Sequence, residues 1–143
     1  MAIKIELEGF DEMLKDIEAA GGSIDKACES ATRQSAKIME DELKASMRKA
    51  GVKGSLIDRM PPFTIEHDGG RITAKVGYKE TTYNPNNLSD YYKAIFLNYG
   101  TPHRSKHGKV KARGFIKKAK RNAKKKITKE QEKALHKILK RLE

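Results

Sequence analysis

Phe63-Thr64-Ile65-Glu66-His67-Asp68-Gly69-Gly70-Arg71-Ile72-Thr73-Ala74-Lys75-Val76-Gly77-Tyr78 is the stretch that decides the fold class. Two runs alternate apolar and polar residues, the period of a half-buried strand, on either side of an Asp-Gly turn. Such a turn is a strong short-range hairpin signal, because its residues accept the positive φ that a tight antiparallel connection needs. Residues 2–8, Ala-Ile-Lys-Ile-Glu-Leu-Glu, alternate in the same way and supply a further strand. The remainder reads as helix. The expected class is α+β: a small antiparallel sheet, made of the N-terminal strand and the central β-hairpin. It packs against a long N-terminal helix, a short central helix and a basic C-terminal helix. At 143 residues the chain has room for one domain with a real core, so 1–143 is read as a single domain.

Between the first strand and the hairpin, Phe10, Met13, Leu14 and Ile17 recur at helical spacing, so 10–20 reads as a short amphipathic helix stopped by Gly21-Gly22. Ser23 is a good N-cap for the next helix, with Asp25 in the first turn. Ile24, Cys28, Ala31, Ser35, Ile38 or Met39, Leu43 and Met47 then form one stripe down a helix of about 27 residues. Gly51, Gly54 and Pro61-Pro62 mark an irregular connection. After the hairpin and a polar loop at 79–87, Asn87 can cap a helix carrying Leu88, Tyr92, Ile95, Phe96 and Tyr99 on its core face, with Asp90 as capping-box partner and Gly100 closing it. Residues 101–113 show no period and are expected to be a mobile basic loop. The segment 114–143 reads as a Lys-rich helix with a thin seam of Phe115, Ile116, Ala119, Ala123 and Ile127. Phe115 is expected to pin it to the sheet. A capping box at Thr128 and Gln131 allows either a break near 127 or one continuous helix.

Charge is distributed unevenly. Arg104 to Glu143 holds seventeen Lys or Arg against three Glu, whereas the preceding residues hold fourteen basic and sixteen acidic side chains. The net +12 is therefore a property of one end. A solvated helix usually interleaves Glu with Lys, and here Glu is nearly absent before Glu130, so a densely anionic partner is expected, most simply nucleic acid, and double-stranded DNA could be bound without being read. Thirteen of the seventeen are Lys. Lys is a hydrated point charge and lacks the fork with which Arg reads guanine, so contact would follow the phosphate backbone and ignore sequence. Phe115 alone offers no stacking platform for single strands. The candidate DNA-facing residues are Lys117, Lys118, Arg121, Lys124 and Lys125.

Chemistry for catalysis is missing from the pattern. His103 and His107 are four apart, but they lie in a basic loop without a carboxylate or thiol, so no metal site is expected. Gly100–Lys109 has the wrong spacing for a phosphate loop, and Val110 stands where a magnesium-binding hydroxyl belongs. The single cysteine, Cys28, allows no internal disulfide and reads as a small buried hydrophobe. No apolar run reaches the length of a membrane span and no signal-peptide core is visible, so synthesis in the cytoplasm is expected, with no membrane partner. No cofactor and no enzymatic activity are expected.

The order of elements carries a resemblance. A strand ending in Gly9-Phe10-Asp11-Glu12-Met13-Leu14 leads to the long helix, then Gly54-Ser55-Leu56 and a hairpin with Val76-Gly77. Tyr91-Tyr92-Lys93-Ala94-Ile95-Phe96-Leu97-Asn98-Tyr99-Gly100-Thr101 comes next, and after the basic loop Ala112-Arg113-Gly114-Phe115-Ile116 opens the last helix. The whole chain resembles the head–tail joining, or neck and tail-completion, proteins of long-tailed double-stranded DNA phages and prophages. The most specific pieces are Tyr99, Gly100 and Thr101, with Ala112, Arg113 and Phe115. In that family an acidic residue usually precedes the aromatic-Gly-Thr signature, where this chain has Asn98. A Pro usually precedes the Phe, where it has Gly114, and a Thr usually stands at Lys53.

The resemblance implies a structural virion protein without catalysis, located in the phage neck or tail. It implies a homo-oligomeric ring of about six copies, docking to neighbouring connector and tail proteins, with DNA passing through. The alternative is a free-standing, sequence-independent nucleic-acid-binding protein that uses the same basic helix.

Overall fold

The structure is a computed structural model and describes residues 2–6, 24–68, 71–101 and 110–141. In chain order the elements are β1 (Ala2–Glu6), α1 (Ile24–Lys49), α2 (Gly54–Asp58), β2 (Thr64–Asp68), β3 (Arg71–Gly77), α3 (Asp90–Tyr99) and α4 (Phe115–Arg141). The helix expected over 10–20, the Ser23 cap, Gly69-Gly70 and residues 102–109 lie outside the described residues.

The α+β class is as the alternating runs dictate. The hairpin closes antiparallel with Asp68 opposite Arg71 and Thr64 opposite Lys75. β1 adds to the other side of β3, with Ala2 opposite Gly77 and Glu6 opposite Thr73, giving the strand order β1-β3-β2. The central strand β3 therefore carries the sheet's buried face. Ala74, Val76 and then Tyr78 turn inward at a period of two, and each is almost fully buried.

The long helix α1 is the centre of the molecule, packing against β3 and along α4. Its buried side is broader than one amphipathic stripe. Ala31, Thr32, Ser35, Ala36, Met39, Glu40, Leu43, Ser46 and Met47 are all buried, covering roughly half the helix circumference at 3.6 residues per turn. The apolar stripe foresaw about half of these. Thr32, Glu40 and Ser46 were missed because they are polar, and two of them have a visible local reason to be inside. Thr32 Oγ1 donates back to the Cys28 carbonyl at 2.8 Å. Glu40 accepts the Phe63 N–H at 3.1 Å and pairs with Lys44 at 3.5 Å. Cys28 itself is only half-buried.

Several expectations need correction. Gly54–Asp58 is a helical turn within the connection, burying Leu56 and Ile57. The central helix starts at Asp90 with Ser89 as its cap, because the Ser89 hydroxyl accepts the Tyr92 N–H at 3.4 Å, so Asn87 is not the cap. Asp90 is engaged instead with Arg59, in a two-point pair at 3.0 and 3.1 Å. The buried residues of α3 are Ala94 and Asn98, while Tyr99 is 67% exposed and Tyr92, Ile95 and Phe96 are half-buried. Phe115 is fully buried, but α4 lies along α1, not on the sheet. The C-terminal helix runs unbroken through Thr128, whose hydroxyl donates to the Lys124 carbonyl at 2.9 Å as an interior residue does.

Two outcomes test this core. Ser35 Oγ is buried without a hydrogen-bond partner among the described residues. Ser35→Ala removes that cost and is expected to raise stability by about 1 kcal/mol, whereas Leu43→Ala is expected to lower it by about 2–5 kcal/mol, both read from urea unfolding midpoints. Tyr78 donates its hydroxyl to the Leu56 carbonyl at 2.6 Å, and burial, helped by the Asp90 charge, pushes its pKa up to about 12. Its contribution to stability is therefore complete below about pH 10, the ordinary tyrosine value, and is lost as pH rises toward 12. Absorbance titration of the phenolates is expected to show one late tyrosine, absent in Tyr78→Phe.

Candidate nucleic-acid interface

The C-terminal helix is held by a narrow seam. Phe115, Ile116, Ala119 and Ala123 are buried, and Ile127 is partly buried against the core. Ala119 and Ala123 share one core cluster with Ala36 of α1, against which α4 packs. At about 100° per residue, Lys117, Lys118, Arg121, Lys124 and Lys125 fall on the side away from that seam. All five are exposed, so the structure brings every candidate DNA-facing residue onto one face.

The charge on that face is uncompensated. Exposed positions of α1 carry intrahelical pairs: Glu29 with Arg33 at 2.9 Å and Lys37 with Asp41 at 3.8 Å. On α4, Lys126 reaches across to Glu42 of α1, and Lys133 pairs with Glu130 at 3.5 Å. These two lysines flank the seam or lie beyond the cluster. Among the described residues, none of the five candidates forms an ion pair. Five like charges within three turns repel one another and are tolerated only in water or against an anion.

The motif residues converge on the start of α4. Gly100 ends α3 at φ +81°, and a Cβ there would lie 2.8 Å from the Val110 carbonyl oxygen and 3.0 Å from the Ala112 nitrogen. Glycine is required both by the backbone conformation and by this approach. Thr101 and Val110 exchange two bonds. The Thr101 N–H donates to the Val110 carbonyl at 2.9 Å, and the Val110 N–H donates to Thr101 Oγ1 at 2.9 Å. Of the loop expected over 101–113, both ends are thus tied within the chain. The Arg113 N–H donates to the Leu97 carbonyl at 3.0 Å, and its guanidinium donates to the Ala50 carbonyl at 3.1 Å, just past the end of α1. A cation there also suits the negative end of the helix dipole. Ala112 is exposed and supplies backbone only.

Asn98 is the residue that sequence reasoning undervalued. It is buried, and its Oδ1 accepts the Ile116 N–H at 3.0 Å in the first turn of α4. Its carbonyl accepts the Gly114 N–H at 3.1 Å. Gly114, at the cap position, has no side chain to satisfy the helix's free N–H groups, so a neighbouring helix does so. Gly114 also sits at φ +59°, a conformation closed to the Pro that the resembling family carries there.

His103 and His107 lie outside the described residues. Within those residues, no group of three or more His, Cys, Asp or Glu converges as metal ligands would, and no helix is long and apolar enough to cross a membrane. Compared with protein-family models, curated proteins and solved structures, the chain matches none.

The cap has a direct test. Asn98→Ala leaves a buried N–H without an acceptor and is expected to cost about 1–2 kcal/mol in thermal or urea unfolding. Asn98→Asp keeps the acceptor and adds a negative charge at the helix N-terminus, so it is expected to retain most of that stability near neutral pH.

Proposed function

We propose that this chain is a structural virion protein of the phage neck that contacts DNA without reading its sequence. The observation that carries the DNA contact is the exposed set Lys117, Lys118, Arg121, Lys124 and Lys125 on one side of a long helix, none of them ion-paired among the described residues. The neck assignment rests on the order of elements and on the signature around Tyr99-Gly100-Thr101 and Ala112-Arg113-x-Phe115. That signature is a junction tying α1, α3 and α4 together, so it would fix the angle at which the basic helix is presented. Copies would form a ring, about six by resemblance, between connector and tail proteins, with α4 facing the DNA. The work done is assembly and retention without catalysis. Lys-to-phosphate contacts hold a duplex while leaving it free to slide, because every register along the backbone is equivalent.

A second reading is favoured by one feature: the basic face is complete on a single copy. A free-standing, sequence-independent nucleic-acid-binding protein would need nothing more.

One measurement separates the readings, and a second tests the interface that both share. Electron microscopy of induced lysates from a strain lacking the gene is expected to reveal DNA-filled heads and finished tails lying unjoined. Normal joined particles would remove the neck assignment. For the isolated chain, duplex binding is expected to be indifferent to sequence. If all five side chains reach phosphates, the log–log salt slope is about −4.5, at about 0.9 per contact. Reversing the five to Glu is expected to abolish binding. Unchanged binding would remove the α4 interface under either reading.

A further inference from the structure

Asp and Glu number 19 in the chain, and the two longest stretches without one are 43–57 and 91–129. The second contains the basic half of α4. The first is the end of α1 and the connection after it, and it carries Lys44, Arg48, Lys49 and Lys53. The fold brings the two stretches together. α1 and α4 run antiparallel: Glu42 meets Lys126, and farther along α1 the Ala50 carbonyl accepts the Arg113 guanidinium at 3.1 Å. A Cβ on Gly51 would sit 3.7 Å from the same guanidinium. The last turn of α1 therefore lies beside the first turns of α4.

Charge is graded along this pair of helices. Between positions 29 and 42, α1 carries Glu29, Glu40, Asp41 and Glu42, and its two cations there, Arg33 and Lys37, are both ion-paired. Glu130 of α4 faces the same surface as Arg33 and Lys37. Toward the junction neither helix has an acid. Lys44 still pairs back to Glu40. Arg48, Lys49 and Lys53 are exposed, and none of them forms an ion pair among the described residues.

Local energetics accounts for two of these cations and not for the third. Arg48 and Lys49 stand in the last turn of α1, where they complement the negative end of the helix dipole. Lys53 stands at the cap of α2, where Ser, Thr, Asp or Asn would accept a free N–H and where the dipole opposes a cation. It makes no capping bond, and the first turn of α2 has no acid. The start of α4 repeats the pattern with Lys117 and Lys118 and no acid in the first turn. Two helix starts, on either side of the Arg113–Ala50 bond, thus hold cations where their own helices disfavour them. An anion from outside is what compensates such a pair.

Resting on the reading of α4 as a DNA contact, we propose that the same duplex also crosses this junction, with Arg48, Lys49 and Lys53 as a second bank of phosphate contacts beside Lys117, Lys118 and Arg121. A duplex carries one charge about every 1.7 Å of its axis, dense enough to meet cations on two helices at once. Arg113 is a positioning residue. Its guanidinium, engaged by the Ala50 carbonyl, fixes the end of α1 against the start of α4 and so sets the spacing of the two banks.

Fluorescence anisotropy with a labelled duplex of mixed sequence, about 30 base pairs long, tests this across a range of salt. With eight contacts the log–log salt slope of the full chain is expected near −7, against about −4.5 for the five on α4 alone. Arg48→Gln, Lys49→Gln and Lys53→Gln together are expected to return the slope to about −4.5 and to weaken binding at least tenfold at about 0.1 M salt. Arg33→Gln, Lys37→Gln and Arg71→Gln remove the same charge elsewhere and are expected to leave the slope unchanged. Lys53→Ser separates binding from folding. It supplies α2 with a capping hydroxyl, so the unfolding midpoint is expected to rise while the slope falls by about 1. A slope near −4.5 in the unaltered chain overturns the second bank. So does a slope that the first triple substitution leaves unmoved, or that both triple substitutions lower equally. Binding abolished by reversing the five α4 residues but untouched by the α1 set removes this extension and leaves the α4 contact standing. A chain that binds no duplex at any salt removes both.

Discussion

The whole arrangement depends on how much of one helix is buried. α1 is covered over about half its circumference, so the sheet and α4 can use neighbouring arcs of the same cylinder. A helix with a single apolar stripe could serve one partner only. Serving two requires the flanks of the stripe to go inside as well, and there the sequence uses Ala, Ser and Thr, with one glutamate satisfied by the Phe63 N–H and by Lys44. The consequence passes to α4. Gripped through Phe115, Ile116, Ala119 and Ala123, it leaves most of its circumference in solvent. What a solvent face carries is then not dictated by packing, which is why lysines without matching acids carry information about a partner.

Where periodicity and turn chemistry coincide, the structure obeys them. The alternation at 63–78 and 2–6 yields three strands in register, and the apolar seam of α4 is buried residue for residue through Ala123. Helix orientation was less legible. In α3 the large apolar side chains argue for one core face, and the structure chooses the other. Ala94 and Asn98 go inside, and Asn98 supplies the acceptor that the first turn of α4 needs. That demand is tertiary, arising from a residue eighteen positions downstream, and no local pattern encodes it. The Ser89 cap was missed for a related reason. Asn87 and Ser89 are both good caps in isolation, and the choice falls to Ser89 because Asp90 is drawn to Arg59 across the fold.

The junction at the start of α4 depends on the residues at 98 and 114. An acidic residue at position 98 would accept the Ile116 N–H as Asn98 does, and would add a favourable charge at the helix N-terminus. Position 114 is different. A proline fixes φ near −65°, whereas Gly114 is at +59°, so the two residues cannot serve one backbone path. With glycine, the chain turns back to donate the Gly114 N–H to the Asn98 carbonyl, a bond proline cannot make. Gly100, Thr101, Arg113 and Phe115 thus have mutually consistent structural roles around this start to the helix.

The molecule separates two kinds of surface. The solvent side of α4 carries the excess positive charge, while positions 81–99 hold only Asp90 and Lys93 among their aromatic and amide side chains. The separation follows from packing: α4 is gripped through a narrow seam of Phe115, Ile116, Ala119 and Ala123, which leaves its lysines in water, and α3 buries Ala94 and Asn98, which turns its large rings away from the core. A contact that buried the lysines would withdraw them from any anionic partner, and aromatic surface carried on a different helix imposes no such competition.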